Sequence, residues 1–145
     1  MGARSSWRSE TVGGVALLRC ATLEAARGVA HAFSTRVAGG GDAFDLGGAD
    51  REDPAWDERR RRFREAAGLD APPAILAQVH GARVVRAGEF SPAERPRADG
   101  VVALAGDRPP LAPAVRVADC VPLLLADRQG RGVAAVHAGW RGTAA

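Results

Sequence analysis

The chain reads as an α+β protein, and three observations carry that reading. Short Val- and Leu-rich runs recur between clusters of turn-forming residues, as in Val121 to Ala126 and Val133 to Val136. One longer segment, Pro54 to Ala67, instead places Trp56, Phe63, Ala66 and Ala67 at helical spacing. The composition, 46% hydrophobic and 26% charged over 145 residues, suits one domain with a modest core. The pattern is β-rich with two or three helices, and it holds no short-period repeat or low-complexity tract.

In chain order, Val12 to Leu18 and Gly28 to Phe33 read as short strands on either side of a helix-like Thr22 to Arg27. Cys20 sits among apolar and small residues, the setting of a buried core thiol. His31 has no evident partner and reads as structural rather than as a ligand. Val37 to Asp42 is a Gly-rich loop whose amides could approach a phosphate or ribose. Asp53 is a natural N-cap, Pro54 fits the first helical position and Gly68 is a natural stop, so a helix is predicted from Pro54 to Ala67. Strands follow at Ala74 to His80, Arg83 to Arg86 and within Ala98 to Leu104, with loops at Glu89 to Arg97 and Gly106 to Pro113.

The last quarter predicts a β-hairpin, with Asp127-Arg-Gln-Gly130 as its turn. A four-residue turn there pairs Ala126 with Arg131 and sets Cys120 directly opposite His137. Cβ atoms at such a pair lie roughly 4.5–5.5 Å apart. A slip of one residue would send the two side chains to opposite faces. Pro122 lacks an N–H, which marks its strand as an edge there.

Charge and composition exclude several function classes. All 20 basic residues are Arg, yet the net charge is only +3. The Arg59 to Arg62 run has no interleaved aromatics, and Asp57, Glu58 and Glu65 dilute it, so a nucleic-acid partner is not expected. No apolar run approaches the roughly 20 residues that span a bilayer, so no membrane partner is expected. The N-terminus lacks the apolar core of a signal peptide, and two widely spaced cysteines do not form a disulfide framework. A cytoplasmic protein is therefore expected. Oligomeric state is left open.

The chemistry concentrates in His80, Cys120 and His137, each at a strand end beside a Gly or turn residue. One thiolate and two imidazoles make a zinc set, and three protein ligands leave the fourth position of a catalytic zinc open. The same set serves blue copper, but that usually adds an axial Met, and the only Met is Met1. With three His in the chain, zinc is favoured over copper. The competing reading makes Cys120 a nucleophile with His137 as base and Asp119 or Asp99 as orienting group. His80 separates the two, because only the metal needs it.

Gln78-Val-His-Gly81, Ala98-Asp-Gly100, Ala118-Asp-Cys-Val-Pro-Leu-Leu-Leu125 and Ala134-Ala-Val-His-Ala-Gly-Trp-Arg-Gly142 together resemble the signature blocks of the YfiH-like family. It is also called the polyphenol-oxidase or laccase-domain family, and its members are described as purine nucleoside phosphorylases. His31-Ala-Phe-Ser-Thr-Arg36 resembles the family's N-terminal block. The resemblance implies mixed β-sheets flanked by helices in one domain over residues 1–145, truncated at the C-terminus. It implies zinc on His80, Cys120 and His137. It also implies phosphorolysis of adenosine, inosine and methylthioadenosine with phosphate as co-substrate, and adenosine deamination alongside.

On this basis Cys120, His137 and Asp119 are the expected catalytic residues, Asp119 orienting His137 or accepting a proton. Arg36 and Arg141 are expected to hold phosphate through the guanidinium fork, with surface ion pairing as the other reading. Trp140 either stacks on the purine or packs in the core. The alternatives are a copper polyphenol oxidase, a cysteine hydrolase, and an inactive zinc-binding fragment. The family's Asn-Leu-Gly, His-x-x-Gly-Asp and Asn-Arg stretches are replaced here by Asp45-Leu-Gly47, Gly48-Ala-Asp-Arg51 and Arg59-Arg60, which sets their substrate contacts apart from the family pattern.

Overall fold

The computed structural model describes residues 6–38, 41–47 and 53–145. The chain forms two compact units, Met1–Asp70 and Ala71–Ala145. Both combine β-sheet with helix, and the α+β class predicted from the sequence is observed.

In the first unit, β1 (Trp7–Val12) and β2 (Val15–Cys20) form an antiparallel hairpin that β3 (Phe33–Ser34) extends. The predicted Val12 to Leu18 strand therefore crosses a turn. Gly13 and Gly14 both take positive φ, which a two-residue hairpin turn with the twist of its strands requires. The helix-like stretch shortens to α1 (Ala21–Glu24). The Gly28 to Phe33 strand starts only at Phe33, because Gly28 turns left-handed and His31 turns inward to the Cys20 amide.

The second helix, α2 (Pro54–Ala67), has the predicted bounds. Asp53 Oδ1 accepts the Ala55 N–H at 2.9 Å, and left-handed Gly68 closes the other end. Its inner face brings Phe63, Ala66 and Ala67 against Val15, Leu17 and Phe44. The Arg run is only partly solvated: exposed Arg61 pairs with Glu58 and Glu65, while half-buried Arg59 and Arg60 donate to the Asp45 and Leu46 carbonyls. Gly39 and Gly40 of the expected glycine-rich loop, and the whole Gly48 to Arg51 stretch, lie outside the described residues.

The second unit contains β4 (Pro73–Ala74), β5 (Val84–Arg86), a 3-10 turn at Ala87–Glu89, β6 (Gly100–Leu104), β7 (Ala112–Pro113), β8 (Val121–Ala126), β9 (Gly132–Ala138) and α3 (Trp140–Thr143). Its main sheet runs β5-β6-β9-β8, parallel at β5-β6 and antiparallel elsewhere. A parallel β4-β7 pair lies within the same unit. Val85, Val101, Ala135 and the partly buried Leu124 point inward onto Leu76, Phe90 and Leu111. The predicted Ala74 to His80 strand dissolves after Ala74 into one bridge, Ala77 with Arg97. Its later polar groups find other partners. The Gln78 amide brackets the Arg116 backbone, accepting from its N at 2.8 Å and donating to its O at 2.7 Å.

The hairpin is present, but its register differs from the predicted one. Pro122 pairs with His137 and Ala126 with Val133. The cause is Asp127. Its carboxylate accepts from Gln129 N, Arg131 N and the Arg131 guanidinium, which draws Arg131 into the turn. Because the offset is even, Cys120 stays on the inner side with Pro122 and Leu124. It stands diagonal to His137 rather than opposite it.

Candidate metal centre

Three chain segments converge where β8 begins and β9 ends. His137 continues the inward row of Ala135 and is 4% exposed. Cys120 immediately precedes β8 and is half-buried. His80 lies in the bend before β5, with a left-handed φ of 60° that non-glycine residues seldom adopt. The donor atoms of His80, Cys120 and His137 all lie within 4.8 Å of one another. The two imidazoles meet edge to face at 4.7 Å.

Asp99 lies behind both imidazoles. It is 2% exposed and accepts four hydrogen bonds. Its Oδ1 receives His137 Nδ1 at 2.8 Å and His80 N at 2.8 Å, and its Oδ2 receives Gly81 N at 2.8 Å and Val79 N at 3.3 Å. The His137 amide also donates to the Asp99 carbonyl at 2.7 Å. Burial alone would raise the Asp99 carboxyl. The hydrogen bonds from His137 and from the Gly81, His80 and Val79 amides outweigh it and hold the group below the usual carboxylate range. An acceptor at Nδ1 leaves His137 Nε2 as the lone-pair donor toward Cys120 and His80.

Glycines let these parts approach. A Cβ on buried Gly139 would stand 3.1 Å from the His80 ring, 3.5 Å from the His137 ring and 3.6 Å from Cys120 Sγ. A Cβ on Gly142 would lie 2.3 Å from the Gly81 carbonyl oxygen, so only glycine lets α3 rest on the His80–Gly81 bend.

The donor set fits a metal. Three donor atoms within 4.8 Å of one another are near enough for one ion to draw them together. One sulfur and two imidazole nitrogens, with a carboxylate behind one imidazole, form a set that could hold a metal ion. Among the described residues there is no thioether for an axial copper position. Burial, with the nearby Asp119 charge, pushes the Cys120 thiol up.

The other predicted residues distribute unevenly. Asp119 does not orient His137; Asp99 does, because the β6 strand start delivers it under the β9 end. Asp119 is exposed, with Oδ1 3.8 Å from Cys120 Sγ. Trp140 is 75% exposed at the start of α3 and is not a core aromatic, and the Arg141 guanidinium lies 5.2 Å from its ring centre. Arg36 is exposed in the first unit, where its carbonyl accepts from Phe44 N. His31 is structural as expected: it is buried and its Nε2 accepts the Cys20 N–H at 2.8 Å. Cys20 is half-buried rather than fully enclosed. A shallow apolar depression of about 410 Å³, lined by Val102, Leu104 and Leu125, lies on the outer face of the sheet and carries none of these groups.

Residues 30–145 match the family described as multi-copper polyphenol oxidoreductase laccase, and the chain belongs to that family. It is 45% identical over 105 residues to a Pseudomonas aeruginosa protein named purine nucleoside phosphorylase PA4543, covering 72% of this chain and 40% of that one. It is 40% identical over 139 residues to a purine nucleoside phosphorylase of Deinococcus radiodurans, covering 92% and 51%. Over 125 residues it is 40% identical to purine nucleoside phosphorylase YfiH of Escherichia coli K12, covering 82% and 49%. The crystal structure of Neisseria meningitidis protein NMB0706 superposes with a TM-score of 0.60 at 30% identity, covering 96% of this chain and 52% of that one. The chain spans about half the length of the curated relatives it matches.

Proposed function

We propose that this chain carries the zinc centre of a purine nucleoside phosphorylase. The observation behind the proposal is the convergence of His80, Cys120 and His137 within 4.8 Å, in a chain whose relatives bear that enzyme's name. The proposed substrates are adenosine, inosine and methylthioadenosine with inorganic phosphate, and adenosine deamination is proposed as a second reaction. In phosphorolysis the bond from ribose C1′ to the purine nitrogen breaks, a C1′–O bond to phosphate forms, and the purine leaves with the electron pair and takes up a proton.

Zinc held there would supply a Lewis acid that orients and polarises an oxygen donor. The chain's own residues do the rest. His80, Cys120 and His137 present the donors. Arg141 is proposed to hold phosphate, since a guanidinium matches phosphate oxygens in a fork. Exposed Trp140 is proposed to stack on the purine. Asp119, exposed beside Cys120, is proposed to exchange the proton with substrate or water. Arg36 keeps a phosphate role on the family resemblance alone. A cytoplasmic location is proposed with this substrate class.

One second reading has a specific observation in its favour. Cys120, His137 and Asp99 form a nucleophile, base and orienting carboxylate in the order a cysteine hydrolase uses. His80 separates the two readings, because the metal needs it and the Cys–His pair does not. Elemental mass spectrometry and phosphate-dependent release of hypoxanthine from inosine test the first reading. About one zinc per chain is expected, with base release that requires phosphate; Cys120→Ser should lose both. Zinc retained in Cys120→Ser would remove the assignment. Covalent labelling of Cys120 that persists in His80→Ala, undiminished by zinc, would establish the hydrolase.

A further inference from the structure

We propose that Asp99 is the positioning residue of the metal centre, one carboxylate that sets the tautomer of His137 and the backbone of His80 together. The inference rests on the metal reading above, but its first test does not need a metal. Both oxygens are committed. Oδ1 joins the His137 ring to the His80 amide, and Oδ2 gathers the Gly81 and Val79 amides. Three successive backbone N–H groups around one carboxylate make a tight anion-holding bend. That bend places His80 in its left-handed conformation, which is unfavourable for a non-glycine residue and persists only where surroundings impose it.

From the other side the bend is closed by Gly142, whose missing Cβ lets α3 sit on the Gly81 carbonyl. Asp99 is anchored in its turn. Its own N–H donates to the Arg83 carbonyl at 3.0 Å, and its carbonyl accepts from His137 N at 2.7 Å. The side chain therefore has little freedom to follow a moved partner. It acts as a fixed template between the two imidazole ligands, which come from segments 57 positions apart in the sequence (137 − 80).

The isosteric change Asp99→Asn makes the inference specific. An amide replaces one acceptor oxygen with an NH2 donor. Turned toward Oδ2's partners, that donor would face two amide N–H groups. Turned toward Oδ1's partners, it faces only the His80 N–H and can donate to His137 Nδ1 if that nitrogen gives up its proton. The second arrangement leaves fewer donors opposed. It moves the His137 proton to Nε2, the atom the metal would use.

Two measurements test this. The first is 15N NMR of histidine-labelled, metal-free protein at about pH 8; the chain has only three histidines to assign. His137 is expected as the Nδ1–H tautomer in the wild type and as Nε2–H in Asp99→Asn. The second is titration with Co2+ followed by thiolate-to-cobalt absorption, with Zn2+ as competitor. Asp99→Asn is expected to bind about 10–100-fold more weakly, the usual cost of losing such a partner. A wild-type His137 found as Nε2–H would overturn the inference even if the variant does not fold. So would an Asp99→Asn protein that binds Co2+ with wild-type affinity. A wild type that binds neither metal while His137 is Nδ1–H would overturn the metal reading and leave the Asp99–His137 positioning standing.

Discussion

His31 and His137 are both buried, and their partners give them opposite tasks. His137 donates from Nδ1 to a carboxylate, whereas His31 accepts from the Cys20 amide and, among the described residues, has no carboxylate hydrogen-bonded to it. Burial, reinforced by Arg19, pushes the His31 imidazole below its ordinary value. The unfolded chain titrates near 6.5, so below that pH it binds a proton that the folded form resists. The stability that neutral His31 supports is complete above about pH 6.5 and is lost as pH falls toward the folded value. We expect the His31 Cε1–H resonance to titrate below about 6.5, and the unfolding free energy to fall from pH 7 to 5. A His31 that titrates at or above the free value would contradict its burial. At this scale the sequence was informative about type but not about partnership. His31 reads as structural for want of a neighbour, and the metal triad reads from residue type and strand-end position. Asp99 reads only as an alternative orienting group, because its four hydrogen bonds join segments whose proximity no local spacing encodes.

Among the elements, α2 was the most legible, since Asp53, Pro54 and Gly68 are local signals for its ends and the apolar stripe is local too. The hairpin was legible in kind and off by its turn. Its register depends on whether Arg131 belongs to strand or turn, and that is decided by the Asp127 side chain rather than by apolar pattern. The β1–β2 hairpin was hidden because Trp7 to Val12 is mostly polar and exposed, so it lacks the apolar signature of a strand. Asp127 is accordingly the residue to remove. Its hydrogen bonds from Arg131 hold its carboxyl well below the usual range, so it is ionised at neutral pH. Asp127→Ala should lower the stability of the hairpin turn, because it removes the acceptor that holds Gln129 N, Arg131 N and the Arg131 guanidinium. The amide of Arg131 should exchange faster, while the cross-strand nuclear Overhauser contacts of Pro122 with His137 persist, since the paired inner rows also specify register. Loss of those contacts would mean that the turn alone sets where Cys120 stands.

Taken as a whole, the second unit is two-faced. The inner face of its sheet packs the core and ends in the His80–Cys120–His137 cluster. The outer face presents Val121, Leu123 and Leu125 from the edge strand β8, with Leu104 from β6 and Val84 from β5, and Leu125 is 57% exposed. Adjacent strands put Val102, Ala134 and Val136 between these rows, so the apolar surface is continuous across all four strands. Single exposed apolar residues are ordinary, but a continuous sheet face with an apolar edge is a site of association. The two faces are chemically independent because side chains alternate along each strand, and Leu123 and Leu125 point away from the row that leads to Cys120. Leu123→Lys with Leu125→Lys should therefore act on association alone. In sedimentation velocity, the wild type is expected to shift to larger species as concentration rises, and the double variant to stay at one sedimentation coefficient. Zinc content should be equal in both. A double variant that loses zinc would show that the outer face also holds the β8–β9 geometry on which the triad depends, and the two faces would then not be separable.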